Sequence, residues 1–329
     1  MNLSLQQIYQ ARKNLQGIAL RVPLTFSHGL SEISGARVYL KWENLQKTGS
    51  FKLRGAVHKM LSLHPEKRCK GVITASAGNH AQGVAYGAGL LGIRVTAVMP
   101  VSTPRVKVEG TERLGARVIL FGENYDEAHA RCMELVGSTG MTYLPAFEDV
   151  DVMAGHGTIA LEILENLPET DMILVPVGGG GLISGIAVAA GTIRPKIEVI
   201  GVQSTQACTM FHCLRAGKMV SVPVLPTLAE GLAGGIEEIT LEIVQKTVDE
   251  IILADEESLA EAIRWILIHE RQVVEASGAV GVAAILRGRV RGIGKKNVVV
   301  VISGGNIDVS LLERIVSNEA GIRRDEGLR

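Results

Sequence analysis

The feature that most constrains the fold is a repeated unit: a short apolar run rich in β-branched residues, a glycine-containing turn, and an alanine-rich stretch of helical character. One copy runs from 71–74 into 81–91. Strands that alternate with helices form parallel sheets, and uninterrupted apolar strands indicate sheets covered by helices on both faces. The sequence therefore predicts an α/β protein with doubly wound parallel sheets. Further strand-like runs lie at 95–99, 116–120, 172–177, 199–202 and 297–302.

The length of the chain predicts more than one unit, because 329 residues exceed the usual size of a single hydrophobic core. Residues 101–122 have the pattern of a helix followed by a strand in a compact sub-unit. We predict a small domain at 51–148 and a discontinuous large domain formed by 1–50 and 149–329. We expect the charged tail, 321–329, to be frayed.

Charge and composition argue against several classes of protein. Lys+Arg and Asp+Glu both total 34, so no basic surplus directs the chain to nucleic acid or anionic lipid. The first seventeen residues lack the apolar stretch of a secretory signal, and we expect a cytoplasmic protein. The cysteines show no CxxC pair and are interpreted as reduced thiols: Cys69, Cys132, Cys208 and Cys213.

One uncharged segment, 172–193, has the length of a membrane span. Pro176 and four consecutive glycines break any single helix there. The segment is better interpreted as a buried strand, a glycine turn and a helix that begins near Leu182.

Three separated features suggest a cofactor bound through a lysine. Lys52 lies in the segment 41–55, and two glycine clusters, at 178–181 and 303–306, each directly follow an apolar run. By itself such a lysine is typical of a solvated surface. However, a partly deprotonated amine can attack an aldehyde, and glycine-rich turns offer converging N–H groups to a phosphate. Pyridoxal phosphate requires both.

The segment 41–55, Lys-Trp-Glu-Asn-Leu-Gln-Lys-Thr-Gly-Ser-Phe-Lys-Leu-Arg-Gly, resembles the cofactor-lysine region of the fold-type II pyridoxal-phosphate enzymes, in their serine/threonine dehydratase and serine racemase branch. The resemblance extends from about residue 8 to residue 308. It implies a fold like that of the tryptophan synthase β subunit, with the cofactor between two domains. It also implies that Lys52 is the catalytic residue and that Lys52 and Phe51 contact the cofactor.

A second block, from Ser76 to His80, follows an apolar strand and opens a helix, so its backbone amides are suited to an anion. Alone, it would be an ordinary turn with Ser76 or Asn79 as the helix cap. It resembles the family's substrate-carboxylate loop. The resemblance implies that Asn79 also bonds the cofactor's phenolic oxygen and that the substrate carboxylate is held by Ser76, Ala77, Gly78, Asn79 and His80.

The glycine cluster at 178–181 does not fit a dinucleotide fingerprint. A strict G-x-G-x-x-G pattern would require a glycine where Ile183 or Ser184 stands, and the strand ending at Gln203 lacks the acid that binds ribose. A nicotinamide dehydrogenase is therefore disfavoured. The resemblance places the cofactor phosphate at Gly178, Gly179, Gly180, Gly181 and Leu182.

The resemblance assigns three further cofactor contacts. Ser303 would contact the pyridine nitrogen, with Gly304 beside it, and Glu275 matches an acidic position near the cofactor. A hydroxyl cannot protonate that nitrogen as a carboxylate would, so the ring is a weaker electron sink, which suits elimination. Without the resemblance, Glu275 would be interpreted as a solvated glutamate at a helix end.

The chemistry implied is loss of water from an L-3-hydroxy amino acid, giving a 2-keto acid and ammonia. Lys52 would act as nucleophile and then as base, with the cofactor phosphate protonating the leaving hydroxyl. Racemisation needs a second proton donor, which the related racemases supply from a serine where this chain has Ala77. A dehydratase is thus favoured over a racemase. Serine, threonine, threo-3-hydroxyaspartate and a hydroxyectoine-pathway intermediate all remain candidate substrates.

Other expectations concern metals, partners and alternatives. The positions that match the racemases' acidic cation ligands are Gln203 and Thr209, so we predict no metal site. The resemblance implies a homodimer or homotetramer. Because little sequence follows the Ser303 block, we expect no regulatory extension like that of the biosynthetic threonine dehydratases. The loop 226–236 would border the active site, through Glu230 or Gly231.

A non-catalytic amino-acid-binding protein on the same fold is the alternative to an enzyme, and retention of Lys52 argues against it.

Overall fold

The computed structural model describes residues 3–317, and ten strands in this range form two sheets. The six-stranded sheet has the order β1-β2-β10-β7-β8-β9, and the four-stranded sheet has the order β5-β4-β3-β6. The predicted frayed tail lies outside the described residues. The strands are β1 Leu24–Phe26, β2 Arg37–Trp42, β3 Val72–Ala75, β4 Val95–Met99, β5 Arg117–Leu120, β6 Thr142–Tyr143, β7 Met172–Pro176, β8 Glu198–Ser204, β9 Glu250–Ala254 and β10 Asn297–Ile302.

Helices cover both sheets. The α-helices are α1 Leu5–Leu15, α2 His28–Ser34, α3 Lys52–Ser62, α4 Pro65–Lys70, α5 Asn79–Leu91, α6 Arg105–Arg113, α7 Tyr125–Thr139, α8 Val150–Asn166, α9 Gly181–Ile193, α10 Thr209–Ala216, α11 Glu238–Thr247, α12 Glu256–Trp265, α13 Ala276–Leu286 and α14 Val309–Val316. Short 3-10 turns occupy Glu43–Leu45 and Glu230–Leu232, and a π-helical turn occupies Ile266–Glu270.

The central strand β10 shows why the large sheet is doubly wound. Val298 and Val300 pack on one side of the sheet in a cluster that includes residues of α12 and α13. Val299 and Val301 pack on the other side, with residues of α8 and α9. Successive side chains of a strand point to opposite faces, so an all-apolar strand is stable only when both faces are covered. The prediction of an α/β protein with doubly wound sheets is confirmed.

All six predicted strand runs form parallel strands, but four strands were not predicted. Strand β2 was not predicted, and its Lys41 is fully buried although lysine is typical of a solvated surface. Strand β1 pairs with β2 in the antiparallel sense, so the large sheet is not wholly parallel. Strands β6 and β9 were also missed. The uncharged segment 172–193 forms β7, the glycine turn and α9, and none of the described helices is long and apolar enough to span a bilayer.

Helix α3 lies between the two sheets, packing on α8 on one side and on α5 on the other. Its Arg54 is held by a buried group of charges, in which the guanidinium bonds Glu43 at 2.8 Å and Glu162 at 2.7 Å. Lys41 Nζ also reaches Glu162, at 2.6 Å. Burial opposes ionisation of Glu162, yet Arg54 and Lys41 hold its pKa below the usual value. This ionic cluster fixes α3 to the large sheet two residues from Lys52.

Candidate active site

Lys52 is the first residue of α3, and its partly buried amine is held in a defined place. Its Nζ donates a hydrogen bond to the carbonyl oxygen of Ala146 at 2.8 Å and lies 5.2 Å from the centroid of the Phe51 ring. Burial lowers the pKa of Lys52 to about 8, although the charges of Glu148 and Glu275 act in the opposite direction. A lysine with this pKa is a better nucleophile and base near neutrality than a solvated lysine.

The backbone before Lys52 is fixed to the end of β10. The N–H of Phe51 donates to Ser303 O at 3.1 Å, and Ser50 forms an antiparallel bridge with Gly304. Ser303 itself is 3% exposed, and its hydroxyl lies 3.4 Å from the carbonyl oxygen of Ser277. The backbone segments that carry Lys52 and Ser303 are therefore in direct contact, and the roles of the two side chains stay predictions.

The glycine turn, Gly178–Gly181, connects β7 to α9. The cap residue Gly180 has φ +92°, and no side chain caps the helix. Among the described residues, the N–H groups of Gly178, Gly179 and Gly180 donate no backbone hydrogen bond outside regular elements. The first N–H groups of a helix attract anions. The turn thus offers free donors to a phosphate, and Leu182 lies in the first turn of the helix with its side chain in the core.

The glycines of this turn are also required by close packing. A Cβ on Gly179 would lie 2.5 Å from the Phe147 ring, and a Cβ on Gly181 would lie 2.8 Å from Phe147 Cβ. A Cβ on Gly178 would approach the carbonyl oxygen of Gly231 to 3.2 Å. Hence the turn serves two requirements: free N–H groups and room for the neighbouring loops.

The carboxylate loop, Ser76–His80, leads from β3 into α5. Its helix cap, Gly78, has no side-chain hydrogen bond, and Ser76 Oγ accepts only a long bond of 3.3 Å from Gly78 N–H. The interpretation of Ser76 or Asn79 as an ordinary helix cap is therefore wrong. Ala77 packs beside Ala81, Ala97 and Met99. The N–H groups at the start of α5 are open to an anion.

His80 is buried beneath this loop, and its Nε2 bonds Leu144 O at 3.0 Å. Burial and the charge of Lys52 lower the pKa of His80 to about 3, against the effect of that hydrogen bond. The imidazole is therefore neutral at physiological pH. Its role in substrate binding stays a prediction.

Glu275 caps α13 and faces the carboxylate loop rather than solvent. Asn79 Nδ2 donates to Glu275 Oε1 at 2.9 Å and to Oε2 at 3.1 Å. Burial raises the pKa of Glu275 above its usual value, although the bond from Asn79 opposes this. A Cβ on Gly304 would lie 2.6 Å from Glu275 Oε1. The glutamate, Asn79 and Gly304 are thus in mutual contact, and the interpretation of a solvated helix end is wrong.

A loop that was not predicted from the sequence joins these parts. This connecting loop, 144–149, runs from β6 to α8, and its backbone accepts from His80 and from Lys52. Phe147 packs on the glycine turn, and the charge of Glu148 reaches Lys52. The loop has no glycine cluster or apolar run before it, so no local signal identified it.

His156 of α8 also lies at the site and was not predicted from the sequence. Its ring meets the Phe51 ring edge-on, with centroids 4.7 Å apart. It is 1% exposed, and neither ring nitrogen has a hydrogen-bond partner among the described residues. Burial, followed by the charge of Lys52, lowers the pKa of His156 well below its usual value. The neutral ring therefore acts as an apolar wall behind Phe51.

The loop that borders the site contributes two residues of different kinds. Glu230 points outward and pairs with Lys107 of α6 at 2.8 Å. Gly231 N–H donates to Ser277 Oγ at 2.9 Å, and a Cβ there would lie 3.6 Å from Glu275 Oε1. Gly231 is therefore the residue of this loop that lies near Glu275.

Gln203, at one predicted position of a lost cation ligand, uses both ends of its amide within the protein. Its Nε2 donates to Val177 O at 3.2 Å, and its Oε1 accepts from Phe211 N–H at 2.9 Å. Thr209 begins α10 and is 8% exposed. Within residues 3–317, no group of three or more His, Cys, Asp or Glu side chains could hold a metal ion.

The assembled groups fit pyridoxal phosphate. The Lys52 amine, with its lowered pKa, can react with the aldehyde of the cofactor. The uncapped glycine turn can bind the phosphate. The aromatic ring of Phe51 and the hydroxyl of Ser303 are groups that can contact the pyridine ring. The two sheets supply opposite sides of this site. The carboxylate loop comes from the small sheet and the glycine turn from the large one.

Comparisons with known proteins agree with this arrangement. A family model described as pyridoxal-phosphate dependent enzyme matches residues 16–304. An L-threonine ammonia-lyase of Thermotoga maritima is 47% identical over 317 residues, which cover 96% of this chain and 78% of that protein. The processed form of threonine deaminase isoform 2 from Solanum lycopersicum superposes with a TM-score of 0.91 at 37% identity, covering 96% of this chain and 88% of that one. Maize serine racemase superposes with a TM-score of 0.92 at 31% identity, covering 97% and 98%.

Proposed function

The chain belongs to the pyridoxal-phosphate-dependent enzymes, and on this premise we propose that it eliminates water from an L-3-hydroxy amino acid of the threonine/serine type. The products are a 2-keto acid and ammonia. The fold is that of the fold-type II enzymes, and the cofactor is pyridoxal phosphate. The observation that carries the proposal is the buried amine of Lys52. It is held by the carbonyl oxygen of Ala146, and burial lowers its pKa to about 8.

The carboxylate loop binds and orients the substrate. The N–H groups at the start of α5 would hold its carboxylate, which would place Cα toward Lys52. Pyridoxal phosphate, when bound, supplies an electron sink for the charge left at Cα. Lys52 Nζ would remove the Cα proton. The β-hydroxyl would take up a proton, for which the cofactor phosphate is the expected donor, and leave as water. The unsaturated product then hydrolyses to the keto acid and ammonia.

The glycine turn and Ser303 hold the cofactor. The N–H groups of Gly178–Gly181 would bind its phosphate, and the Ser303 hydroxyl would contact its ring nitrogen without protonating it. A ring held in this way stabilises negative charge weakly. Elimination tolerates a weak sink because the charge leaves with the β-substituent.

Threonine is the substrate that the relatives favour. The Thermotoga maritima protein and a second one from Geobacter sulfurreducens, 46% identical over 312 residues, are both named L-threonine ammonia-lyase. The charges around Lys52 support a substrate with a neutral β-carbon side chain. The negative charges of Glu148 and Glu275 both act on Lys52 and raise its pKa. They would therefore repel an acidic substrate side chain such as that of threo-3-hydroxyaspartate.

Racemisation is the second candidate, favoured by the likeness to maize serine racemase. It requires a proton donor on the face of Cα opposite Lys52. Ala77 carries no proton, and the neutral His80 is committed to Leu144 O. The site as built therefore supports elimination over racemisation.

We also propose that the protein is a cytoplasmic homodimer or homotetramer, with a small domain at 51–148 and a large domain at 1–50 and 149–329. The four unpaired cysteines support the compartment, because disulfides form mainly in oxidising compartments. The two separate sheets support the domain limits. Light scattering of the purified protein would measure its mass in solution.

The test is an assay of ammonia and 2-keto acid release by the cofactor-loaded protein over a panel of L-3-hydroxy amino acids. We expect product from threonine, less from serine, and none from either when Lys52 is replaced by alanine. Lys246→Ala, an exposed lysine of α11, is the matched control and should retain full activity. A protein that binds the cofactor but releases ammonia from no hydroxy amino acid would overturn the proposal in favour of a binding role.

A further inference from the structure

Asn306 closes the segment 303–306 and has no role in the function proposed above. Its side-chain amide nevertheless joins two separate parts of the site. Nδ2 donates to the carbonyl oxygen of Thr48 at 2.8 Å and to Asn79 Oδ1 at 2.7 Å. Thr48 lies four residues before Lys52, and Asn79 begins α5. Although part of Asn306 faces solvent, its amide connects the lysine segment to the carboxylate loop.

The chemistry of the two amides makes this contact directional. An amide nitrogen only donates, so Asn79 has to turn its oxygen toward Asn306. The Nδ2 of Asn79 then points to the other side, where it donates to Glu275 at 2.9 and 3.1 Å. The orientation of the Asn79 amide is therefore set from both sides, by a donor and by an acceptor.

Asn79 turns its N–H groups toward Gly304, which pairs with the backbone segment before Lys52. A Cβ on Gly304 would lie 3.3 Å from Asn79 Nδ2, and Gly304 is bridged to Ser50, two residues before Lys52. In pyridoxal phosphate the phenolic oxygen is next to the aldehyde carbon that Lys52 attacks. A donor beside the segment that carries Lys52 would therefore face the phenolic oxygen.

The backbone at Gly49 lies very close to the side chain of Asn306. Gly49 has φ +70°, and a Cβ there would lie 2.2 Å from Asn306 Oδ1. The N–H of Gly305 donates to Gly49 O at 2.9 Å. Only a glycine leaves room for the asparagine at this turn, so the segment before Lys52 is shaped to receive it.

We propose that Asn306 is a positioning residue: it fixes the amide of Asn79 so that N–H groups, rather than the carbonyl oxygen, face the phenolic oxygen of the cofactor. The proposal rests on the proposed function and on the predicted contact between Asn79 and the cofactor. Asn306 touches neither the substrate nor the cofactor in this role, and it acts through Asn79.

The variant Asn306→Asp tests the direction of the contact. An aspartate only accepts, so it competes with Glu275 for the N–H groups of Asn79 and turns the Asn79 oxygen toward the cofactor. The hydrogen bond that favours the more negative form of the phenolic oxygen is then lost. A bond to a charged group corresponds to about a tenfold to hundredfold change in an equilibrium constant.

The main readout is a pH titration of the visible absorbance of the bound cofactor without substrate. We expect the transition of Asn306→Asp to move upward by about one pH unit, because the donor that favoured the deprotonated form is gone. We expect kcat for threonine to fall about tenfold or more and KM to change less. Asn306→Ala should give a smaller shift, since Glu275 still orients Asn79.

Asn124→Asp is the matched control, because it makes the same substitution at the exposed cap of α7, where aspartate also caps a helix. It should leave the titration unchanged. Asn79→Ala combined with Asn306→Asp should shift the titration no further than Asn79→Ala alone.

An unchanged titration in Asn306→Asp, when Asn79→Ala does shift it, would overturn the proposal. So would a lowered melting temperature and lowered cofactor affinity with no shift, which would indicate a structural role only. If Asn306→Asp fails to fold, the smaller shift of Asn306→Ala decides the question. Because the titration needs no substrate, its result is independent of whether threonine is turned over.

Discussion

The amine of Lys52 donates to the carbonyl oxygen of Ala146 at 2.8 Å, across 94 positions of sequence. This bond joins helix α3, which begins with Lys52, to the loop that leads from the small sheet to the large one. The same loop accepts from His80 and places Phe147 on the glycine turn. The Lys52 helix, the carboxylate loop and the glycine turn therefore all contact six residues that carry no recognisable motif.

The rate at which the cofactor-free protein takes up pyridoxal phosphate should rise with pH, with a midpoint near 8. The neutral amine is the attacking species, and burial lowers the pKa of Lys52 to about 8. Glu148→Gln should move this midpoint downward, because the negative charge of Glu148 raises the Lys52 pKa. Stopped-flow absorbance measures the rate, with the exposed Glu134→Gln as control. A midpoint unaffected by Glu148→Gln would show that the carboxylate does not act on Lys52.

Lys52→Met should raise the melting temperature of the cofactor-free protein. The folded-state pKa of Lys52 is depressed to about 8, so folding disfavours the charged amine. This cost is fully present below pH 8 and disappears as the pH rises toward the unfolded value of roughly 10.4. The gain in stability should therefore be larger at pH 7 than at pH 10. Calorimetry at both values checks it, and an equal gain at both would contradict the mechanism.

Gly179→Ala should destabilise the protein and weaken cofactor binding. The added methyl would lie 2.5 Å from the Phe147 ring, an overlap that costs about 1–3 kcal/mol in a packed site. Phe147→Leu in the same chain should recover part of the lost stability. Gly234→Ala is the control, because nothing lies within 4 Å of its added Cβ. Urea unfolding and cofactor titration measure the two effects, and a neutral Gly179→Ala would remove the packing argument.

Ala77→Ser should add serine racemisation to the elimination activity. The hydroxyl would introduce a proton donor into the carboxylate loop, where the present chain has none at this position. Chiral chromatography of the reaction with L-serine detects the D-enantiomer. Ser76→Ala in the same background tests whether the gain depends on the new hydroxyl alone. Absence of D-serine would show that a proton at residue 77 does not reach Cα.

EDTA should leave activity unchanged, and added Mg²⁺ should not increase it. The amide of Gln203 already bonds Val177 and the start of α10, so the position is filled by hydrogen bonds within the protein. Activity is compared before and after dialysis against the chelator. Recovery of lost activity by Mg²⁺ would contradict this expectation.

Much of this fold was predictable because its signals are local. Strand β10, the glycine turn and the segment 303–306 each combine an apolar run with glycines, and the structure brings them together at the carboxyl ends of parallel strands. The resemblance added Lys52 and the carboxylate loop. The contact between Phe51 and His156 was not predictable, since it joins residues more than a hundred positions apart.

Strand β2 shows the same limit within the fold. Its Lys41 is fully buried because Glu162, from α8, neutralises it at 2.6 Å. A buried lysine is rare without such a partner, and the sequence of β2 does not indicate which residue is the partner. The strand therefore reads as a charged surface segment until the tertiary pairing is known.

The ionic cluster of Lys41, Glu43, Arg54 and Glu162 has a consequence for how this chain can diverge. Its two cations and two anions balance, and removing any one leaves a buried charge uncompensated, at a cost of roughly 3–5 kcal/mol. Amino-acid substitutions at these four positions are therefore expected to be correlated. Related sequences should either keep all four charged residues or replace all four together. Selection on the helix that carries Lys52 would then extend to residues that never meet a substrate.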